Sequence, residues 1–280
     1  MKVILKQNIR KILLIFALLL VIVNLIFLIG LNKGKPSEHK SAAEIIGAEN
    51  ADKISFCANR EFFKSSLPST MDSVEETDKE KANAVILDIY LTKDKLLVCS
   101  PFENLKDSYY LSGSISDYTY FQLLESSVAV GKQKITFSIN PAVEIIKSCI
   151  EKNITAVCVF HNIKDMSLLD ELFKAYQDND SFVVYSNNYN FLLNINKSYP
   201  SMRLWYFVDE VTNEVIDSMN ILREAEVIFD IKNKNNNEEM MKKLNSYSYK
   251  FGCTGVEKKS DLKKCINFGV SDIITSEFVK

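Results

Sequence analysis

Eight short apolar runs alternating with amphipathic stretches predict a (β/α)8 (TIM) barrel. One long uncharged apolar segment ahead of them predicts a single membrane-spanning helix. The runs are residues 54–58, 84–91, 156–161, 182–186, 204–208, 227–231, 251–254 and 272–276. They are rich in Val, Ile, Phe and Tyr and mostly continuous rather than alternating, which suits parallel strands covered by helices. Eight strand–helix repeats fit the length of such a barrel, typically about 250 residues. The structural alternative, an open doubly wound sheet, normally carries a glycine-rich turn after its first strand. Here that turn reads Cys57-Ala58-Asn59-Arg60-Glu61, with no glycine.

Taken in order, residues 1–11 carry Lys2, Lys6, Arg10 and Lys11 and are expected in the cytoplasm. Residues 12–32 carry no charge. At 1.5 Å rise per residue, about twenty such residues cross a hydrocarbon core of roughly 30 Å. The run ends Ile29-Gly30-Leu31-Asn32-Lys33 without a small-x-small cleavage site, so an uncleaved anchor is expected rather than a signal peptide. Only Lys33, Lys35 and Lys40 follow it closely, and the positive-inside rule then puts the barrel on the extracytoplasmic side. Residues 33–52, with Gly34, Pro36 and Ser37, read as a linker holding a short helical piece near residues 42–46. Residues 53–280 form the barrel, with residues 95–138 inserted between its second and third strands.

Helical faces recur between the strands. Leu168, Leu169, Leu172, Phe173 and Tyr176 share one face; Val215, Ile216, Met219 and Leu222 share another. The segment 260–266 gives a third, with Gly269 as its C-terminal stop. The insertion holds an apolar run at 96–99, a helical pattern at 117–125 and a β-like run at 135–139. The six cysteines contain no C-x-x-C pair, which argues against structural zinc. They read as small buried hydrophobes, although an even number permits disulfides in an oxidising space. Lys+Arg of 34 against Asp+Glu of 36 leaves a net charge of −2, which argues against nucleic acid as the main partner.

Several segments, in order, resemble the glycerophosphodiester phosphodiesterase family of the PLC-like phosphodiesterases. In that family a first strand ends His-Arg-Gly, a helix starts Glu-Asn-Thr, a second strand reads Glu-Leu-Asp and runs into Leu-Thr-Lys-Asp-Gly, and an apolar strand ends His-Asp. This chain has Asn59-Arg60-Glu61, Pro68-Ser69-Thr70, Ile86-Leu87-Asp88, Leu91-Thr92-Lys93-Asp94-Lys95 and Pro101-Phe102. Ile139-Asn140-Pro141 resembles the start of the family's next helix. Residues 268–276, ending Asp272-Ile273-Ile274-Thr275-Ser276, resemble its Gly-Val-Asp-Gly-Ile-Ile-Thr-Asp ending.

The resemblance implies a phosphoric diester hydrolase using two histidines as acid and base and acidic residues holding Ca²⁺ or Mg²⁺. Phosphoryl transfer needs a cation for the oxygens and a proton donor for the leaving alkoxide. At the matched positions the histidines are Asn59 and Pro101, the first metal-ligand Glu is Ile86, and the third strand's acidic ligand aligns near Phe160. The family's Trp on the seventh barrel strand falls at Cys253. Arg60 and Asp88 survive. Asn cannot exchange a proton near neutral pH. His161, at the end of the third barrel strand, is the remaining acid–base candidate, and its bland role is a satisfied structural histidine. Asp88 and Glu61, joined by Asp230, form the only candidate metal set.

These replacements predict a catalytically degenerate, membrane-anchored barrel that binds a glycerophosphodiester, another phosphate-containing ligand or a protein partner. The alternative is an active, diverged, metal-dependent phosphodiesterase of lipid or wall-polymer metabolism. A third reading is a scaffold whose mouth is plugged by Ile86, Pro101 and Phe102.

Overall fold

A computed structural model describes residues 54–105, 111–125, 139–222 and 225–276. The expected anchor, the linker and residues 135–138 of the β-like run lie outside the described residues. Among the described residues no helix is long and apolar enough to cross a membrane.

Among the described residues ten strands form one sheet: β1 (Ser55–Ala58), β2 (Ala84–Leu91), β3 (Leu97–Cys99), β4 (Asn140–Pro141), β5 (Thr155–Phe160), β6 (Phe182–Ser186), β7 (Arg203–Val208), β8 (Ala225–Asp230), β9 (Phe251–Thr254) and β10 (Asp272–Thr275). Eight are parallel and run in the order β1-β10-β9-β8-β7-β6-β5-β2. Pairing of Cys57 with Ala84 and of Ala58 with Val85 joins β1 to β2 and closes the ring. The barrel expected from the apolar runs is therefore present, and β3 and β4 extend it antiparallel from β2.

Local chemistry marks the start of the first helix and the end of the last. Helix α1 (Met71–Lys79) starts at Thr70, whose hydroxyl accepts from Ser73 N while Ser73 Oγ accepts from Thr70 N, a reciprocal cap. Helix α2 (Tyr120–Leu124) lies in the insertion, and α3 (Ala142–Glu151) follows β4 directly. Helices α4 (Asp170–Tyr176), α5 (Tyr189–Ser198), α6 (Asn213–Met219), α7 (Glu238–Ser246) and α8 (Lys259–Phe268) complete the outer layer. Helix α8 stops at Gly269, whose φ of 79° is left-handed, a conformation that only glycine adopts without cost.

Strand parity sorts the core into two layers. Val85, Leu87, Ala156, Cys158, Val184, Phe229 and Cys253 face the helices. Cys57, Ile86, Val157, Val183, Trp205, Ile228 and Ile274 fill the barrel, with Tyr185 and Phe207 packed on them. Trp205 is 1% exposed and meets Tyr185 edge-on at 6.2 Å. Alternation also corrects one expectation. Phe160 points outward, onto Phe173 at 5.5 Å, so the residues that β5 turns to the axis are Val159 and then His161 rather than Phe160.

Candidate functional site

In (β/α)8 barrels the C-terminal strand ends carry the chemistry. There Asp88, from inside β2, is 3% exposed and accepts hydrogen bonds on both carboxylate oxygens. Its Oδ2 accepts from Arg60 Nε at 2.6 Å and from Ser69 Oγ at 3.3 Å. Its Oδ1 lies 2.7 Å from His161 Nε2. An ionised carboxylate only accepts, so the imidazole proton on this side sits on Nε2. Ser69 is buried, holds a φ of 58°, and also accepts from Asp88 N at 2.9 Å. Three segments distant in sequence thus converge on one carboxylate.

Around this centre, Arg60 Nη2 donates to Tyr90 OH at 3.3 Å. The Tyr90 ring stacks on the His161 imidazole, with centroids 4.6 Å apart and planes 12° apart. Burial, and then the nearby Asp88 charge, push the Tyr90 hydroxyl up to about 12, so it stays protonated. Burial works against the Arg60 charge, but the hydrogen bond and charge of Asp88 more than offset it and raise the guanidinium pKa. Beside His161 a cavity of about 310 Å³ is lined by Lys93, Lys95, Glu103, Ser114, Ser116 and Asn162, among others.

The other positions singled out in the sequence take no part in the Asp88 cluster. Asn59 Oδ1 accepts from Glu61 N at 2.9 Å and closes its own turn. Glu61 is exposed. Ile86 packs with Trp205 and Ile274 inside the barrel. Pro101 is buried in the turn after β3, next to Ser100, whose N–H donates to Asp88 O at 3.1 Å. Asp230 Oδ1 accepts from Lys232 N. Phe102 joins the apolar cluster under the insertion. Ser69 and the stacking role of Tyr90 were not legible in the motifs. The one local sign of Ser69 is its place in Pro68-Ser69-Thr70, just ahead of a helix cap.

Among the described residues, no group of three or more His, Cys, Asp or Glu side chains is arranged to hold a metal ion. A hard cation needs several free carboxylate oxygens. Both Asp88 oxygens already accept hydrogen bonds and the guanidinium of Arg60 sits against one of them, so these residues do not fit Ca²⁺ or Mg²⁺.

No family model matches the chain, and no curated protein matches it. Solved structures do. A phosphodiesterase from Oleispira antarctica, in complex with the product sn-glycerol-3-phosphate, superposes with a TM-score of 0.69 at 15% identity, covering 81% of this chain and 94% of that one. The barrel has the glycerophosphodiester phosphodiesterase fold. A glycerophosphoryl diester phosphodiesterase from Parabacteroides distasonis gives 0.66 at 16% identity over 85% and 89% of the two chains. The glycerophosphodiester phosphodiesterase of Thermotoga maritima gives 0.64 at 16% identity over 80% and 95%. Identities this low establish the shared glycerophosphodiester phosphodiesterase-like barrel and leave its chemistry to the site.

Proposed function

We propose that this chain is a membrane-tethered, glycerophosphodiester phosphodiesterase-like barrel that no longer hydrolyses phosphodiesters and instead binds a phosphate-containing ligand at its mouth. The carrying observation is the state of Asp88. The one acidic residue retained at a matched metal position is taken up by donors from Arg60, Ser69 and His161 where a hydrolase would keep a divalent ion. Arg60 is a permanently charged, fork-shaped donor, and Lys93 and Lys95 border the adjoining cavity. Together they favour an anion. The glycerol phosphate held by the Oleispira antarctica protein suggests the ligand class. The uncharged run at residues 12–32 and the lysines before it support an anchor with the barrel outside the cytoplasm.

The test is turnover of glycerophosphocholine and bis-p-nitrophenyl phosphate by the purified chain in Ca²⁺, Mg²⁺ or Mn²⁺. The expected result is none above the metal-only blank, together with a rise in melting temperature on adding glycerol 3-phosphate. Metal-dependent turnover that Asp88→Ala abolishes would reject the proposal. Protease protection of the barrel in intact cells would reject the orientation.

One observation favours a second reading, residual hydrolysis. His161 and Asp88 form a carboxylate–imidazole pair at 2.7 Å, and a histidine so oriented is suited to moving a proton. That reading requires turnover that is lost in His161→Ala.

A further inference from the structure

Far from the Asp88 cluster, the last strand–helix–strand unit of the barrel holds two cysteines in contact. Cys253 lies on β9 with its side chain turned to the helical layer. Cys265 lies on the buried face of α8, twelve residues later. Both are 0% exposed. Their sulfurs are 2.7 Å apart, closer than two thiols rest side by side and near the roughly 2.05 Å of a disulfide bond. The other four cysteines are also buried thiols. Cys57 faces the barrel interior, whereas Cys99, Cys149 and Cys158 lie in the outer layer with β3, α3 and β5.

We propose that Cys253 and Cys265 form a structural disulfide that locks the closing unit of the barrel. The location gives the bond its effect. Helix α8 leads through Gly269 into β10, and β10 pairs with β9 on one side and β1 on the other. A bond from β9 to α8 therefore ties down the segment whose last strand shuts the ring. It removes conformations of the unfolded chain in which this unit is open.

The chemistry balances through exchange with a disulfide donor such as oxidised glutathione. One cysteine thiolate attacks a donor sulfur and expels a thiolate. The second cysteine then attacks the mixed disulfide and expels the other donor thiolate. Two protons and two electrons leave the protein as two reduced donor thiols. Burial, and then the neighbouring Cys265, hold the Cys253 thiol well above its ordinary pKa. A thiol so placed is inert in the closed barrel, so the bond forms before α8 docks.

The full chain, unfolded and refolded with oxidised and reduced glutathione, is quenched with iodoacetamide and digested with trypsin. The expected product links the peptide Phe251–Lys258 to the one starting at Cys265, with the other four cysteines alkylated. Six alkylated cysteines, or a bond joining any other pair, would overturn the proposal. Reduction should also lower the melting temperature of the wild-type chain by roughly 5–10 °C, and leave that of a Cys253→Ser/Cys265→Ser variant unchanged. An equal fall in both chains would refute a stabilising role.

Discussion

The two ends of this barrel solve the same electrostatic problem in opposite ways. At the mouth one carboxylate, Asp88, is answered by a guanidinium, an imidazole and a hydroxyl. At the floor, where β7, β8 and β10 begin, two inward carboxylates share one arginine. Arg203 Nη2 donates to Glu226 Oε1 at 2.8 Å. Asp272 sits beside Glu226, and Glu226 Oε2 is buried without a hydrogen-bond donor of its own. Gly252 leaves room for this crowding: a Cβ there would lie 2.5 Å from Asp272 O and 2.9 Å from Ile228 Cδ1. Burial, and then the Glu226 charge, push the Asp272 carboxyl up to about 7. A proton on Asp272 relieves the repulsion between the two neighbouring carboxyls. The lesson is that the mouth answers its carboxylate with donors from other side chains, whereas the floor depends on one exchangeable proton.

The largest effect should therefore come from pH acting on the floor. The folded pKa of Asp272 lies above the unfolded value near 4, so the folded chain binds a proton that the unfolded chain releases. That contribution to stability is complete below pH 4 and disappears as pH rises through 7. Urea denaturation should show a loss on the order of 3 kcal/mol between pH 4.5 and 8. Asp272→Asn should flatten the slope and make the variant the more stable protein at pH 8. An unchanged slope would remove Asp272 as its source. Next comes Arg203→Ala, which strands two buried carboxyls and should cost about 3 kcal/mol at pH 8, with a smaller loss at pH 5, where Asp272 is neutral. Equal losses at the two values would break the contrast between the ends.

At the mouth, Ser69→Ala removes the acceptor of Asp88 N and one donor to Oδ2. The expected cost is about 1–2 kcal/mol, read as a shift in the denaturation midpoint. An unchanged midpoint would mean that the Ser69 hydroxyl does not support Asp88.

How much of this was legible follows from where the signals sit. Strands buried on both faces leave continuous apolar runs, so all eight barrel strands could be read to within two residues. Asp88 and Arg60 were visible because they lie inside local motifs. In Leu91-Thr92-Lys93-Asp94-Lys95 the family's glycine slot is filled by Lys95 at a φ of 68°, which explains why a glycine is favoured there. The floor left no such trace: Arg203, Glu226 and Asp272 come one each from three strands, and only the lateral pairing of those strands in the sheet brings them together. The third strand's ligand position could be aligned only to the neighbourhood of Phe160, and in a strand one residue is the difference between the axis and the helical layer.

The smallest stability effect, and the one that best separates structure from function at the mouth, belongs to Arg60→Ala. The Arg60 side chain is 47% exposed, so its pair with Asp88 is screened, and its loss should cost only about 0.5–1 kcal/mol. Asp88 keeps His161 and Ser69. If the mouth is a binding site for a phosphate-containing ligand, the same substitution should remove most of the stabilisation that glycerol 3-phosphate confers, because that stabilisation tracks affinity for the folded chain. Thermal melts of both chains with and without glycerol 3-phosphate check both statements at once. A variant that melts a degree or two lower, yet gains as much from the ligand as wild type does, would show that Arg60 serves Asp88 alone and that the anion, if bound, is held by Lys93 and Lys95 in the neighbouring cavity.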